Sequence, residues 1–253
     1  MIFDIQRAMI WKRASAYLFD VIILGILVVG IAFSMSALLG YDSYDETFNQ
    51  GISRYEEQFS VTLNISEDVY NQYTPEEKQN YDNAYSAFAE DREVSHAYSM
   101  MISLALMITS ISILLGYLIL EFLVPMLLKN GQSLGKKIFG VGVIRTSGIK
   151  INGVSLFIRT ILGKFTIETM IPVLVIMLIA FGRMGLDGTI LIGVLLIAQV
   201  ILLFATRNHS QIHDLLADTV VIDIASQMIF DSEEEMIAYK KQIHAEQAAR
   251  QEY

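Results

Sequence analysis

Four long apolar stretches, residues 14–39, 98–128, 163–182 and 188–205, constrain this chain more than any other feature of its sequence. A hydrocarbon core of about 30 Å is crossed by roughly 20 helical residues, and each stretch comes near or exceeds that length. Lipid offers no hydrogen bonds to an unpaired backbone, so these stretches predict four transmembrane helices and exclude an open sheet. The first is too long for a secretory signal and carries an acid, Asp20, in its apolar body, so it is read as a retained span. The partner that all four imply is the lipid bilayer, and the expected location is the cell membrane.

Charge distribution then orients the spans. Arg7, Lys12 and Arg13 precede the first span, beside Trp11 as an interfacial anchor. Lys129, Lys136, Lys137, Arg145, Lys150 and Arg159 fill the loop between the second and third, and Arg207 follows the fourth. The segment 41–97 holds only Arg54, Lys78 and Arg92. By the positive-inside rule both termini lie in the cytoplasm. The net charge of −9 comes from acids clustered in residues 41–94 and in the tail, so no basic face offers itself to nucleic acid.

The organisation that follows is a four-helix membrane bundle of the all-α class with a helical extracytoplasmic cap and a short cytoplasmic hairpin. Residues 1–40 form the N-terminus and first span, 41–97 an acidic extracytoplasmic excursion and 98–128 the second span. Residues 129–160 form a cytoplasmic loop, 161–206 the third and fourth spans, and 207–253 a closing segment with a charged helical tail. Within the excursion, Thr74-Pro75-Glu76-Glu77 reads as a capping box with proline at the first helical position. That helix is expected to run straight into the second span, and Ser66-Glu67-Asp68 to start a shorter one upstream. In the inner loop, alternating β-branched residues around Thr146-Ser147-Gly148 predict the hairpin, with Thr219–Ile222 as a pairing strand. The lysines before it are expected to face anionic headgroups. Ser232 and Glu235 mark the start of the tail helix.

Ionisable groups inside spans are costly and point to function. Asp20 lies roughly 10 Å along the helix from Arg13, Glu121 roughly 12 Å from Lys129, and Glu168 roughly 6–13 Å from the basic residues Lys164 and Arg159. The three acids therefore share one depth. Turned together they would form a carboxylate cluster, in which at least one group holds a proton near neutral pH and exchanges it for a small cation. The structural readings stand beside this one. Asp20 can lock span one to a neighbouring helix, Lys164 can pair with Glu168 four residues on, and Arg13 can clamp Asp214 across the chain's two ends. Pro125 frees the carbonyl of Glu121 and can bend the helix there. His209 and His213 are spaced like metal ligands, but no close third ligand completes a site, so an interfacial role is favoured and no metal is expected. No cysteine, metalloprotease motif, nucleophile elbow or phosphate loop is present, so neither enzymatic activity nor a cofactor is expected.

Arg13, Asp20 seven residues later and His213-Asp214 after the last span resemble the RDD family, named for one arginine and two aspartates so placed. Gly131-Gln132-Ser133-Leu134-Gly135-Lys136-Lys137-Ile138-Phe139-Gly140 is similar to its glycine-lysine segment, and Asp214-Leu215-Leu216-Ala217-Asp218-Thr219-Val220-Val221 to its closing motif. Asp218 stands where the family usually has a small residue. The resemblance implies a membrane protein linked to transport, with sodium/proton antiport attributed to some members. Two functions fit these residues. One is a monovalent cation/proton exchanger using Asp20, Glu121 and Glu168, with Na+ or a similar cation and protons as its ligands. The other is a non-transporting scaffold or regulator of another membrane protein. Four helices make a small pathway, so a homo-oligomer suits either reading.

Overall fold

The computed structural model describes residues 5–128, 130–206 and 210–251, and is mostly helical. Helix α1, Ile10–Leu39, ends at Gly40, whose positive φ of 67° turns the chain into α2, Tyr41–Phe59. Short α3, Glu67–Gln72, and α4, Pro75–Glu90, precede α5, Arg92–Tyr117. A wider-wound π-helical segment, Leu118–Leu123, continues α5 into α6, Val124–Leu128. Next come α7, Leu134–Ile138, strand β1, Val141–Arg145, and α8, Gly153–Phe157. A second π-helical segment, Ile158–Met170, leads into α9, Ile171–Ala180, and then α10, Leu186–Ala205. The chain closes with α11, Ile212–Leu216, strand β2, Thr219–Asp223, and α12, Glu233–Gln251.

Four helical stretches are long and apolar enough to cross a membrane: Ile10–Leu39, Arg92–Leu128, Gly153–Ala180 and Leu186–Ala205. The third begins ten residues before the apolar stretch in the sequence, and so takes Arg159 into the span. Large apolar side chains such as Ile26, Phe33, Ile190, Val194, Ile201 and Phe204 stand exposed along these helices, the pattern expected of surfaces that meet lipid. Both π-helical segments end two residues before a proline, Pro125 and Pro172. Proline has no N–H to donate, and just before each one the ladder has slipped from the fourth to the fifth preceding carbonyl. Val124 donates to Ile119 and Ile171 to Thr166.

The chain packs as two compact units, residues 30–111 and the remainder. In the first, Phe48 meets Phe88 edge to face at 5.8 Å and stacks on Tyr98 at 5.4 Å. Ala84, Val94 and Ala97 are fully buried beside them. The capping box at Thr74 forms as expected, Glu77 N donating to Thr74 Oγ1 at 3.3 Å and Thr74 N to Glu77 Oε2 at 2.7 Å. The helix from Pro75 does not run straight into the second span, however. It stops at Asp91, whose carboxylate accepts from the amides of Glu93 and Val94 to begin α5, and also from Arg54 at 2.7 Å and Tyr55 at 3.0 Å. A side chain that caps a new helix and anchors α2 outcompetes one more turn of α4.

In the other unit, β1 and β2 form a two-stranded antiparallel ladder, from Val141 opposite Asp223 to Arg145 opposite Thr219. The turn at Thr146-Ser147-Gly148 exists, closed by Arg145 N donating to Ile149 O at 2.9 Å and by the Ile144–Lys150 bridge, but the local pairing extends no further. The main partner of β1 is thus the closing strand rather than the second arm of a local hairpin. Val141, Val143, Ile144, Val220 and Ile222 are buried on both faces of this ladder, burial that Ile149-Lys150 could not supply. Asp218 takes the left-handed conformation just before β2, at φ 51°, and accepts a hydrogen bond from Thr146. The free edge of β2 receives the N-terminal segment: Asp223 N donates to Gln6 O at 3.0 Å and Ala8 N to Val221 O at 3.3 Å. Lys12 adds an ion pair to Asp223 at 2.5 Å. The N-terminal segment and the closing strand are joined by backbone hydrogen bonds as well as by ion pairs.

Candidate functional site

The polar core of this unit begins at span one. Ser133 Oγ donates to Asp20 Oδ2, and the amide of Gly135 donates to Oδ1 at 2.7 Å. A Cβ on Gly135 would overlap the carbonyl of Ala16 and lie 2.9 Å from Asp20 Oδ1, so the glycine is what lets α7 reach the span. Asp20 is bound by the glycine-lysine segment, not by another carboxylate.

Glu121 lies in the first π-helical segment and meets two lysines. Lys164 Nζ donates to its Oε2 at 2.6 Å, and Lys136 Nζ lies 3.6 Å from the same oxygen. Its backbone carbonyl, left without the Pro125 amide, accepts from Thr160 Oγ1 at 2.9 Å. The freed carbonyl expected from the proline therefore joins the second and third spans. The expected pair of Lys164 with Glu168 is not made. A pair along one helix is worth about 0.3–0.5 kcal/mol, whereas an unpaired buried carboxylate costs several.

Glu168 turns instead to α11, accepting from the amide of His213 at 3.0 Å and from Nδ1 at 2.7 Å. The other ring nitrogen faces Arg159 Nη2 at 3.0 Å. A guanidinium has only donors, so Nε2 is the acceptor and His213 is neutral, with its proton on Nδ1. Burial, then the nearby Arg159 charge, holds the imidazole below its ordinary pKa. Gly163 makes this approach possible: a Cβ there would overlap Cβ of His213 and lie 2.6 Å from its Cα.

Asp214 is 1% exposed and is held by Arg159 Nη1, which also donates to Thr219 Oγ1 at 2.6 Å. Arg13 Nη2 stands 3.8 Å from the other carboxylate oxygen. Burial raises the Asp214 pKa, but Arg159, His213 and Arg13 outweigh it and hold the carboxyl well below the usual range. The expected contact of Arg13 with Asp214 is present, as the longer of two.

Asp20, Glu121 and Glu168 are thus not gathered into one carboxylate cluster. They surround a cavity of about 210 Å³ at different removes. Asp20 lines it, Glu121 sits behind Lys136 and Lys164, and Glu168 sits behind His213. Lys136 points inward, against the expectation that it faces headgroups, while Lys137 is exposed. Arg159 and Lys136 are the site residues that sequence reasoning passed over as markers of the interface. Their signal was an excess of acids at one depth, which demands cations at the same depth. Lys129, Arg207 and His209 lie outside the described residues. Among the described residues no group of three histidine, aspartate or glutamate side chains could hold a metal ion.

A polar, ion-paired core closed by the chain's own ends, among four apolar helices, defines a multi-pass membrane protein. The chain belongs to the RDD family, whose model matches residues 7–218. The match takes in Arg13, Asp20 and Asp214 together with the glycine-lysine segment that holds Asp20. No curated protein and no solved structure matches the chain.

Proposed function

We propose that this protein exchanges a monovalent cation for protons across the cell membrane, with both termini and the cavity on the cytoplasmic side. The observation that carries the reading is Asp20, the single carboxylate on the wall of the cavity. Glu121 and Glu168 take supporting roles, holding Lys164 and His213 in place. The lysine and arginine content of the loops supports the orientation. An incoming cation and a leaving proton would use the same small polar space in turn, which keeps the buried charge constant. The test is the full chain in liposomes with an internal pH dye, given sodium, lithium or potassium outside. A cation-driven proton flux that Asp20→Asn abolishes is expected; no flux, or flux untouched by the substitution, overturns it.

A second reading draws on the separate unit 30–111, which packs its own aromatic core. In that reading the chain is a scaffold for another membrane protein. Crosslinking in cells to a stoichiometric partner, with no ion flux in liposomes, would favour it.

A further inference from the structure

The cavity wall is cationic, and one of its cations makes an ion pair but no side-chain hydrogen bond. Arg13, Lys136, Arg159 and Lys164 line it, against the single carboxylate of Asp20. Both Asp20 oxygens already accept, from Ser133 and Gly135. Glu121 and Asp214 stand behind the wall, each shared between two of these cations.

Lys136 is 9% exposed, and its ammonium lies 3.6 Å from the nearest carboxylate oxygen, beyond hydrogen-bond reach. No described atom accepts a hydrogen bond from it. An ammonium has three donors, and this one opens on the cavity, so its acceptors come from whatever the cavity holds. Burial also presses the Lys136 pKa down to about 8, against the pull of Glu121. An acceptor-rich anion in the cavity would relieve both conditions.

The rest of the lining says what else that anion carries. Ile10 and Tyr17, both exposed on span one, border the cavity together with Leu203 of the fourth span. A free inorganic anion has no use for such a border, whereas a lipid continues along it. We propose that the cavity holds the phosphate headgroup of an anionic phospholipid, with Lys136 donating to its phosphate oxygens and the acyl chains leaving past Ile10 and Tyr17. The inference does not rest on ion exchange and stands if no ion moves. A resident anion would also lower the repulsion that a cation meets on its way to Asp20.

Native mass spectrometry of the full chain in non-ionic detergent, titrated with phosphatidylglycerol or phosphatidylcholine, tests the proposal. Phosphatidylglycerol should be retained about tenfold more strongly, because its headgroup is a net anion, whereas the choline ammonium of phosphatidylcholine is repelled by the cationic wall. Lys136→Gln should erase that preference, while Lys137→Gln at the exposed neighbour leaves it. Equal retention of the two lipids by the wild-type chain overturns the proposal, and that measurement needs no variant to fold. A preference that survives Lys136→Gln overturns it as well. So does heat protection by inorganic phosphate equal to that by phosphatidylglycerol, which would assign the site to a free anion.

Discussion

Arg159 donates through Nη2 to Nε2 of His213 at 3.0 Å, which leaves the imidazole proton on Nδ1, where Glu168 accepts it at 2.7 Å. The closing helix α11 is thereby tied to the third span by a neutral histidine held between a cation and an anion. Protonating Nε2 would set two donors against each other and add a positive charge beside Arg159, against which the Asp214 carboxylate at 3.6 Å pulls the other way.

The sign of the resulting pH dependence follows from the lowered histidine pKa. Between the folded value and the ordinary 6.5, the unfolded chain binds a proton that the native chain refuses. Stability contributed by the neutral imidazole is therefore complete above the ordinary value and declines as pH falls through that window. Thermal unfolding of the detergent-solubilised chain from pH 8 to pH 5 should show a falling Tm below the ordinary histidine range. His213→Asn, which retains a donor for Glu168, should flatten that slope; an unchanged slope would assign the effect to other groups.

Asp20 separates charge from hydrogen bonding. Asparagine can accept from Gly135 and donate to Ser133, so Asp20→Asn should cost under about 1 kcal/mol, whereas Asp20→Ala leaves both donors unmet and should cost about 1–3 kcal/mol. Comparing Tm for the two variants checks this, and flux in liposomes then reads the role of the charge on a folded protein.

Glu121 is the anion on which two lysines depend. Glu121→Gln leaves Lys164 and Lys136 without their shared carboxylate and should destabilise by about 3–5 kcal/mol. Adding Lys136→Gln should recover part of that loss, because one of the uncompensated charges is removed with it. Additive losses in the double variant would show that Glu121 and Lys136 are not coupled.

Gly163→Ala should destabilise by about 1–3 kcal/mol, since its methyl group would occupy the space of the His213 backbone. Gly25→Ala, where nothing lies within 4 Å, should change stability by no more than about 1 kcal/mol in either direction. Unfolding midpoints of the two variants test whether the contact, rather than helix propensity, sets the difference.

The four spans, the Thr74 cap, the short helix after Ser66 and the freed carbonyl at Glu121 were legible because each depends on residues within one or two turns of one another. The break at Asp91 was not legible, because Arg54 and Tyr55 come from another helix. The pairing of Thr219–Ile222 with the inner strand forms as expected, but the local second arm around Lys150 is shorter than the alternation suggests, because the closing strand supplies the burial on both faces of β1. The pairing of the acids shows the limit most clearly. Depth along each helix could be counted, but which way each side chain turns across the bundle could not.

The sequence by itself determined four helices long and apolar enough to cross a membrane and placed a carboxylate in each of three of them, because hydropathy and helical periodicity act along the chain. Only the tertiary structure decided their partners: Asp20 with Ser133 and Gly135, Glu121 with Lys164 and Lys136, Glu168 with His213. A buried charge is settled by the nearest opposite charge or donor in three dimensions, and here that group always comes from a different element of the fold.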